Sequence, residues 1–390
     1  MRVLYLAQEF PNKTRPYACT FLLEQAKAIS RLVDVAVLAP VRLYPSFVKY
    51  DKLREELHHI PLTGRMGNLE IYHPRYRYLP GPLRFVNIYN FMRSVKRVVT
   101  RYVGKIDIIH AHFAHAAGFA GIKLSSVFNV PIVVTVHGSD INRFLLNGEG
   151  EWYFKERALK TLFFADKIVA VSNDLEKKVC CTGNFAKKTE RIYNGIDMRI
   201  FKAGDKYSAR KKLCLPKAKK ILLSAGNIIP EKGVFDIVDA LEILNRDDVA
   251  TVFIGNDGTF GQFSEKIKNM RNIYYHGPVS AETVALYMQA CDLLVHPSYA
   301  EGFGLVVAES LACGCPVVAS RVGGIPEIIS SAELGMLIEP GNPTQLAGAI
   351  GDGLSRQWDP EKLISRAQEF SFENHLAQLI PLYERLLESV

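Results

Sequence analysis

Short apolar runs recur along almost the whole chain with helix-length segments between them, and this alternation restricts the fold more than any other feature. The runs "RVLYLA" (2–7), "VDVAVLA" (33–39), "IDIIHA" (106–111), "PIVVTV" (131–136) and "KIVAVS" (167–172) make a first series. A second series comprises "KKILLSAG" (219–226), "ATVFIG" (250–255), "NIYYHG" (272–277), "DLLVHPS" (292–298) and "PVVAS" (316–320). A strand that is apolar on both faces must be covered on both, and parallel sheets flanked by helices do that. Between the two series, at 198–218 ("MRIFKAGDKYSARKKLCLPKA"), hydrophobic periodicity lapses and charge rises, which marks a boundary. The chain therefore reads as α/β: two doubly wound, Rossmann-like domains, 1–200 and 201–372, facing each other across a deep cleft. The last stretch, 373–390, reads as a helix that packs back on the first domain.

Composition narrows the function classes. The 390 residues suffice for two cores, and 48% hydrophobic with 23% charged residues is ordinary for a globular protein. No apolar run approaches the roughly 18 residues of a membrane span. The opening "MRVLYLAQEF" is interrupted by Gln8 and Glu9 and reads as a buried strand rather than a signal peptide. Seven cysteines, with Cys180 beside Cys181 and Cys313 two residues before Cys315, match neither zinc nor thioredoxin spacing. Reduced thiols and a cytoplasmic location are the expectation. The net charge of +8 is concentrated: residues 71–106 hold eight Lys and Arg and no Asp or Glu. Such a patch is a local docking surface rather than a polycation, so no nucleic-acid partner is expected. The first glycine is Gly64, so the Gly-x-Gly-x-x-Gly fingerprint of nicotinamide dinucleotides is missing after the first strand.

Chemistry concentrates in "EGFGLVVAE" (301–309). It reads as a glycine-rich turn after a strand, running into a helix. Gly302 and Gly304 let the backbone approach a ligand, and the helix start offers free N–H groups suited to a diphosphate. Glu309 sits among Val306, Val307 and Leu311, and a buried carboxylate needs donors such as the hydroxyls of a ribose or a hexose. "SAGNIIPEKG" (224–233) places Lys232 at another helix start, where its charge could meet a phosphate. "VHGSD" (136–140) puts His137 at the carboxyl end of a first-domain strand, the edge that faces ligands in doubly wound folds.

Together these stretches resemble the retaining GT-B glycosyltransferases of family four, the sugar-nucleotide-dependent group that includes glycogen-synthase-type and teichuronic-acid-type enzymes. The resemblance covers nearly the whole chain: "HAHF" (110–113), "VHGSD", "AVSN" (170–173), "YNGID" (193–197), "GNIIPEKG" (226–233), "HGPVS" (276–280), "EGFGLVVAE" and "GCPVVAS" (314–320). It implies that Glu301 lies by the transferred sugar and that Glu309 takes the ribose hydroxyls. By the same resemblance Lys232 neutralises the donor diphosphate and His137 stands beside the sugar. The catalytic set it implies is His137, Lys232 and Glu301. Donor binding would add Asn227, Val279, Gly302, Phe303, Gly304, Leu305 and Glu309, and His112, Asp140 and Ser172 would lie on the acceptor side. Three positions depart from the family pattern: Asn227 replaces an arginine, "PNKTRPYACTF" lacks the usual glycines so that Ala18 or a neighbour lines the diphosphate, and Phe372 replaces a tryptophan.

Two further features have ordinary readings beside functional ones. His110, His112 and His115 could suggest a metal, but no carboxylate is near in sequence and the family needs none there, so no metal and no cofactor are expected. In the basic stretch 75–105, Arg93, Lys96, Arg97 and Arg101 share one helix face while Ile88, Met92, Val95, Val99 and Tyr102 line another. That helix is either a domain helix with a wet basic side or an interfacial helix on an anionic membrane. The expected activity is retaining transfer of a hexose from a nucleotide-sugar, UDP the expected base, to a glycan or lipid-linked acceptor at the cytosolic face of a membrane. Resemblance implies front-face attack; the residues alone leave a covalent intermediate open. The alternatives are a GT-B sugar-nucleotide epimerase or phosphorylase, and a two-lobed binding protein without turnover.

Overall fold

A computed structural model describes residues 1–44, 57–79 and 81–388. Pro80 of the basic stretch and Ser389 and Val390 of the terminal helix lie outside them. The chain forms two compact units, Met1–Tyr193 together with His375–Val390, and Asn194–Asn374.

In the first unit an eight-stranded sheet has β1 (Arg2–Leu6), β2 (Asp34–Leu38), β4 (Thr63–Met66), β5 (Leu69–Tyr72), β7 (Ile108–His112), β8 (Ile132–Val136), β9 (Lys167–Ala170) and β10 (Thr189–Arg191). A separate two-stranded pair joins β3 (Val41–Leu43) to β6 (Arg75–Arg77). The sheet order is β10-β9-β8-β7-β1-β2-β5-β4. Every neighbouring pair is parallel except β4 with β5. Its centre is the most apolar part of the sequence: Val3, Leu4, Tyr5 and Leu6 of β1 are wholly buried between β2 and β7. Each such aliphatic side chain is worth about 1.5–3 kcal/mol over an exposed one. Strand order reverses between β1 and β7, so the crevice of this unit opens at the carboxyl ends of those strands.

The second unit repeats the plan with β11 (Lys220–Ala225), β12 (Val249–Ile254), β13 (Ile273–Tyr275), β14 (Leu293–His296), β15 (Val317–Ser320) and β16 (Gly335–Ile338). All pairs are parallel, in the order β13-β12-β11-β14-β15-β16. The switch point lies between β11 and β14. The charge-rich segment 198–218 is no bare linker here. It contains the helix Lys206–Lys212, whose Arg210 is buried and donates to the carboxylate of Asp292 at 2.6 Å and to the Ala290 carbonyl at 2.9 Å. A charge inside a pairing of this kind reads in sequence like solvated surface.

The terminal helix, Phe372–Glu388, is tied into the first unit from His375 onward. His375 Nδ1 donates to the Tyr193 carbonyl at 2.7 Å and its Nε2 accepts from Gln25 at 2.8 Å. Tyr383 meets His110 Nδ1 at 2.5 Å, and His110 Nε2 meets Thr135 Oγ1 at 2.7 Å. Both histidines are buried and held neutral by desolvation, His375 at about 4 and His110 at about 3.

Candidate active site

The strongest convergence of charged groups lies at the switch point of the second unit. After β11 the chain turns through Gly226 and Asn227 into the turn Pro230–Lys232, and after β14 it runs through Pro297 to Glu301. Two contacts lock these segments together. Tyr299 N–H and the Ser298 hydroxyl both donate to the Glu231 carbonyl, at 2.9 and 3.2 Å. Gly233, at φ 67°, lies so close to Pro297 that a Cβ would meet its carbonyl oxygen at 2.2 Å. No other residue allows that approach, and it sets Lys232 beside Glu301. Lys232 Nζ donates to Glu301 Oε1 at 2.5 Å, and His296 Nε2 donates to the same oxygen at 2.7 Å. Burial would raise the Glu301 carboxyl, but the Lys232 charge and the His296 hydrogen bond outweigh it and hold the group well below the usual carboxylate range. Glu301 is thus an anion at any ordinary pH, with Oε2 left for a ligand. On the far side of the turn, a Cβ at Gly323 (φ 55°) would meet the Glu301 carbonyl at 2.0 Å, which fixes the backbone of the acid as well.

The helix Leu305–Ala312 starts at Gly304, which is left-handed at φ 98° and supplies no side-chain cap, so the first N–H groups stay available. Glu309 is half-buried on this helix. Among the described residues no group donates to its carboxylate, and burial pushes its pKa up to about 7. Val307 and Leu311 are wholly buried but Val306 is only half so, which leaves the acid a route to a ligand. Phe303 is 2% exposed with its ring edge-on to Phe370 at 5.3 Å, so what that position can offer a donor is backbone. Asn227 is exposed, Val279 half-buried just before the helix Ala281–Ala290, and Leu305 half-buried. His296 was not singled out in the sequence; its place at the carboxyl end of β14, on the crevice edge, was the available signal.

The corresponding edge of the first unit holds the expected acceptor-side residues. Asp140 is buried and its carboxylate accepts the N–H groups of Ala114 (2.8 Å), His137 (3.2 Å) and Gly138 (3.0 Å). Ser172 is buried and caps the helix Asn173–Cys181 by accepting from Leu175 N–H at 3.1 Å. His112 is buried, its ring tilted against Tyr5 at 4.1 Å and His110 at 4.3 Å, and bonded through Nδ1 to His137 Nε2 at 3.0 Å. Asp140 and Ser172 are thus held by backbone N–H groups, whereas His112 keeps a buried Nε2 with no hydrogen-bond partner among the described residues. His137 is half-buried and neutral, lowered to about 3 by desolvation, and its Nδ1 is buried without a partner. His115 stands apart with its ring edge-on to Phe154 at 4.2 Å. The glycine-free loop before the helix Thr20–Ile29 ends in Cys19, which takes the left-handed φ of 48° that a glycine would adopt more easily.

The chain matches two family models, Glycosyltransferase Family 4 over residues 20–199 and Glycosyl transferases group 1 over residues 205–370. A putative teichuronic acid biosynthesis glycosyltransferase, TuaC of Bacillus subtilis, is 30% identical over 373 residues, 93% of this chain and 91% of the relative. N-acetyl-alpha-D-glucosaminyl L-malate synthase of Bacillus anthracis is 28% identical over 73% of this chain and 75% of its own length. Among solved structures, sucrose-phosphate synthase of Thermosynechococcus elongatus superposes with a TM-score of 0.81 at 21% identity, covering 100% of both chains. Anabaena HepE in complex with UDP and glucose superposes with a TM-score of 0.72 at 22% identity, over 99% of this chain and 100% of that one.

Proposed function

The chain belongs to glycosyltransferase family 4, with the GT-B fold, and from that premise we propose that it transfers a hexose from a UDP-sugar to a glycan or lipid-linked acceptor, with retention at the anomeric carbon, at the cytosolic face of a membrane. The donor is held by the second unit and the acceptor by the first. One observation carries the reading: a lysine and a histidine converge on Glu301 at the switch point of β11 and β14, eight residues before the unpartnered Glu309.

The roles follow from charge. The diphosphate gains negative charge as the bond to the sugar breaks, so Lys232 and the N–H groups that open the helix Leu305–Ala312 stabilise the transition state more than the ground state. Glu301, kept anionic, accepts from sugar hydroxyls and orients the ring. Glu309 accepts the two ribose hydroxyls, which are the donors its surroundings lack. His137, a neutral imidazole with a bare Nδ1, is a group that the first unit offers to a sugar hydroxyl. With the leaving diphosphate and the incoming hydroxyl on one face of the sugar, configuration is retained without a covalent enzyme intermediate.

A panel of UDP-, GDP- and ADP-sugars tests the donor. Thermal stabilisation by a UDP-sugar, with slow release of UDP and free hexose of unchanged anomeric configuration by NMR, is the expected result. Stabilisation by none of them, or inverted product, overturns the reading.

A further inference from the structure

In the first unit the turn Gly81–Val86 and the start of the helix Trp152–Phe164 enclose a cavity of about 310 Å³, lined by Gly81, Arg84, Phe85, Glu151, Trp152 and Tyr153. Small-ligand sites begin at about that volume, roughly 300 Å³. Its walls are pinned together. Arg157 Nη2 donates to the Phe85 carbonyl at 2.5 Å, and the same guanidinium lies 4.5 Å from the centre of the Tyr153 ring. These contacts hold together the two segments that line the half-open cavity.

Its contents are unusual for a plain surface. Trp152 is 73% exposed, its indole touching Tyr153 edge-on at 5.8 Å, and Phe85 is exposed as well. Glu151 sits in the capping position of the helix, yet its carboxylate caps nothing. It stands 3.8 Å from Arg84 Nη1, beyond hydrogen-bond length, with both side chains about half exposed. An aromatic face, a set of donors and a set of acceptors thus surround one ring-sized space.

We propose that this cavity binds one pyranose ring of an uncharged glycan, with the apolar face of the ring on Trp152 and its neighbouring hydroxyls between Arg84 and Glu151. A hydroxylated ring donates to the carboxylate and accepts from the guanidinium, satisfying both. An anionic lipid surface would meet Glu151 as a like charge, and a bare acyl chain would desolvate both ions without replacing water. The binding of the ring stands apart from the donor chemistry. Only its identity as part of the acceptor rests on the glycosyltransferase reading.

The chain has two tryptophans, Trp152 and Trp358, so a Trp358→Phe background makes Trp152 the sole reporter. That protein is titrated, without nucleotide, with cellotetraose, maltotetraose and N-acetylchitotetraose. The expected result is a saturable blue shift of emission with at least one sugar. Saturation-transfer NMR with the same sugar should show affinity weakened about tenfold or more in Trp152→Ala, the scale of losing an aromatic contact, and less in Arg84→Gln or Glu151→Gln. Equal thermal midpoints establish that the variants are folded. No saturable shift with any of the three, unchanged affinity in Trp152→Ala, or a shift produced only by phosphatidylglycerol vesicles overturns the proposal. UDP binding measured on the same variants separates the two readings: intact UDP binding without sugar binding removes this site alone.

Discussion

Glu301 and Glu309 lie eight positions apart and are driven in opposite directions by what surrounds them. Glu301 has a lysine and a histidine on one oxygen and stays ionised, whereas Glu309 has no donor and its pKa rises to about 7. A folded value above the unfolded one means that the folded chain holds the proton more tightly, so ionising Glu309 in the empty site costs stability as pH climbs through 7. A ligand that donates hydrogen bonds to the carboxylate recovers that cost. UDP affinity measured by calorimetry should therefore rise between pH 6 and 8, and Glu309→Gln should bind more weakly with a flat profile. An unchanged affinity in that variant would remove Glu309 from the donor site. Asn227 and Lys232 differ in the same quantitative way. In the proposed donor site, where position 227 has no arginine, Lys232 supplies the positive charge for the diphosphate, and Lys232→Ala should lower kcat roughly a hundredfold or more. Asn227→Ala removes only a neutral hydrogen bond of about 1 kcal/mol and should cost much less. Comparable damage from the two changes would mean that the phosphates are held elsewhere.

At the scale of elements, the terminal helix is secured by polar links through two buried histidines that desolvation keeps neutral. Gln25 donates to His375 Nε2, the Tyr193 carbonyl takes its Nδ1 proton, and Tyr383 and Thr135 flank His110. Their folded values, about 4 and about 3, lie below the ordinary histidine value of about 6.5. The unfolded chain consequently binds more protons as pH falls below 6.5, and stability falls with it toward pH 4. Each histidine costs about 1.4 kcal/mol per pH unit in that window. The thermal midpoint should drop steeply between pH 7 and 5. In His375→Gln the midpoint at pH 7 should be lower and the slope with pH shallower, as followed by circular dichroism. Equal slopes for both proteins would show that the helix is held without regard to these protons.

For the molecule as a whole, the excess positive charge lies on one stretch. Arg93, Lys96, Arg97 and Arg101 are all exposed on or just after the helix Asn87–Val98, whose other side buries Ile88, Phe91, Val95 and Val98. No described helix is long and apolar enough to cross a membrane. Docking at a lipid surface would thus rest on charge, at about 1 kcal/mol per basic side chain. Replacing the four with Gln should release the protein from phosphatidylglycerol vesicles in co-sedimentation while leaving binding of UDP unchanged. Equal sedimentation of both proteins, or equal sedimentation on neutral vesicles, would return the helix to an ordinary wet surface.

Buried strands were legible from the sequence because burial leaves an unbroken apolar run, and ten such runs mark ten strands of the two sheets, β13 alone among them having its central residue, Tyr274, exposed. The fold class and the family followed, since order and spacing of glycines and acids belong to the chain itself. Strands β4, β5, β10 and β16 of those sheets, and the separate pair β3 and β6, were not legible. β4 is exposed along its length, and Glu70 in β5 and Glu190 in β10 pair with Arg2 and Lys167, so polar residues that look like loop are matched across the sheet. The same physics hid Arg210, whose burial depends on Asp292, distant in the chain. At the candidate site the sequence supplied Lys232, Glu301 and Glu309, but it could not tell which polar groups the framework would occupy. Asp140 and Ser172 accept from nearby N–H groups, His112 packs among its neighbours' rings with Nε2 left unbonded, and His296 is brought onto Glu301 by the turn between them. Residue type and spacing reveal what a side chain can do; only the packed chain decides which partner reaches it first.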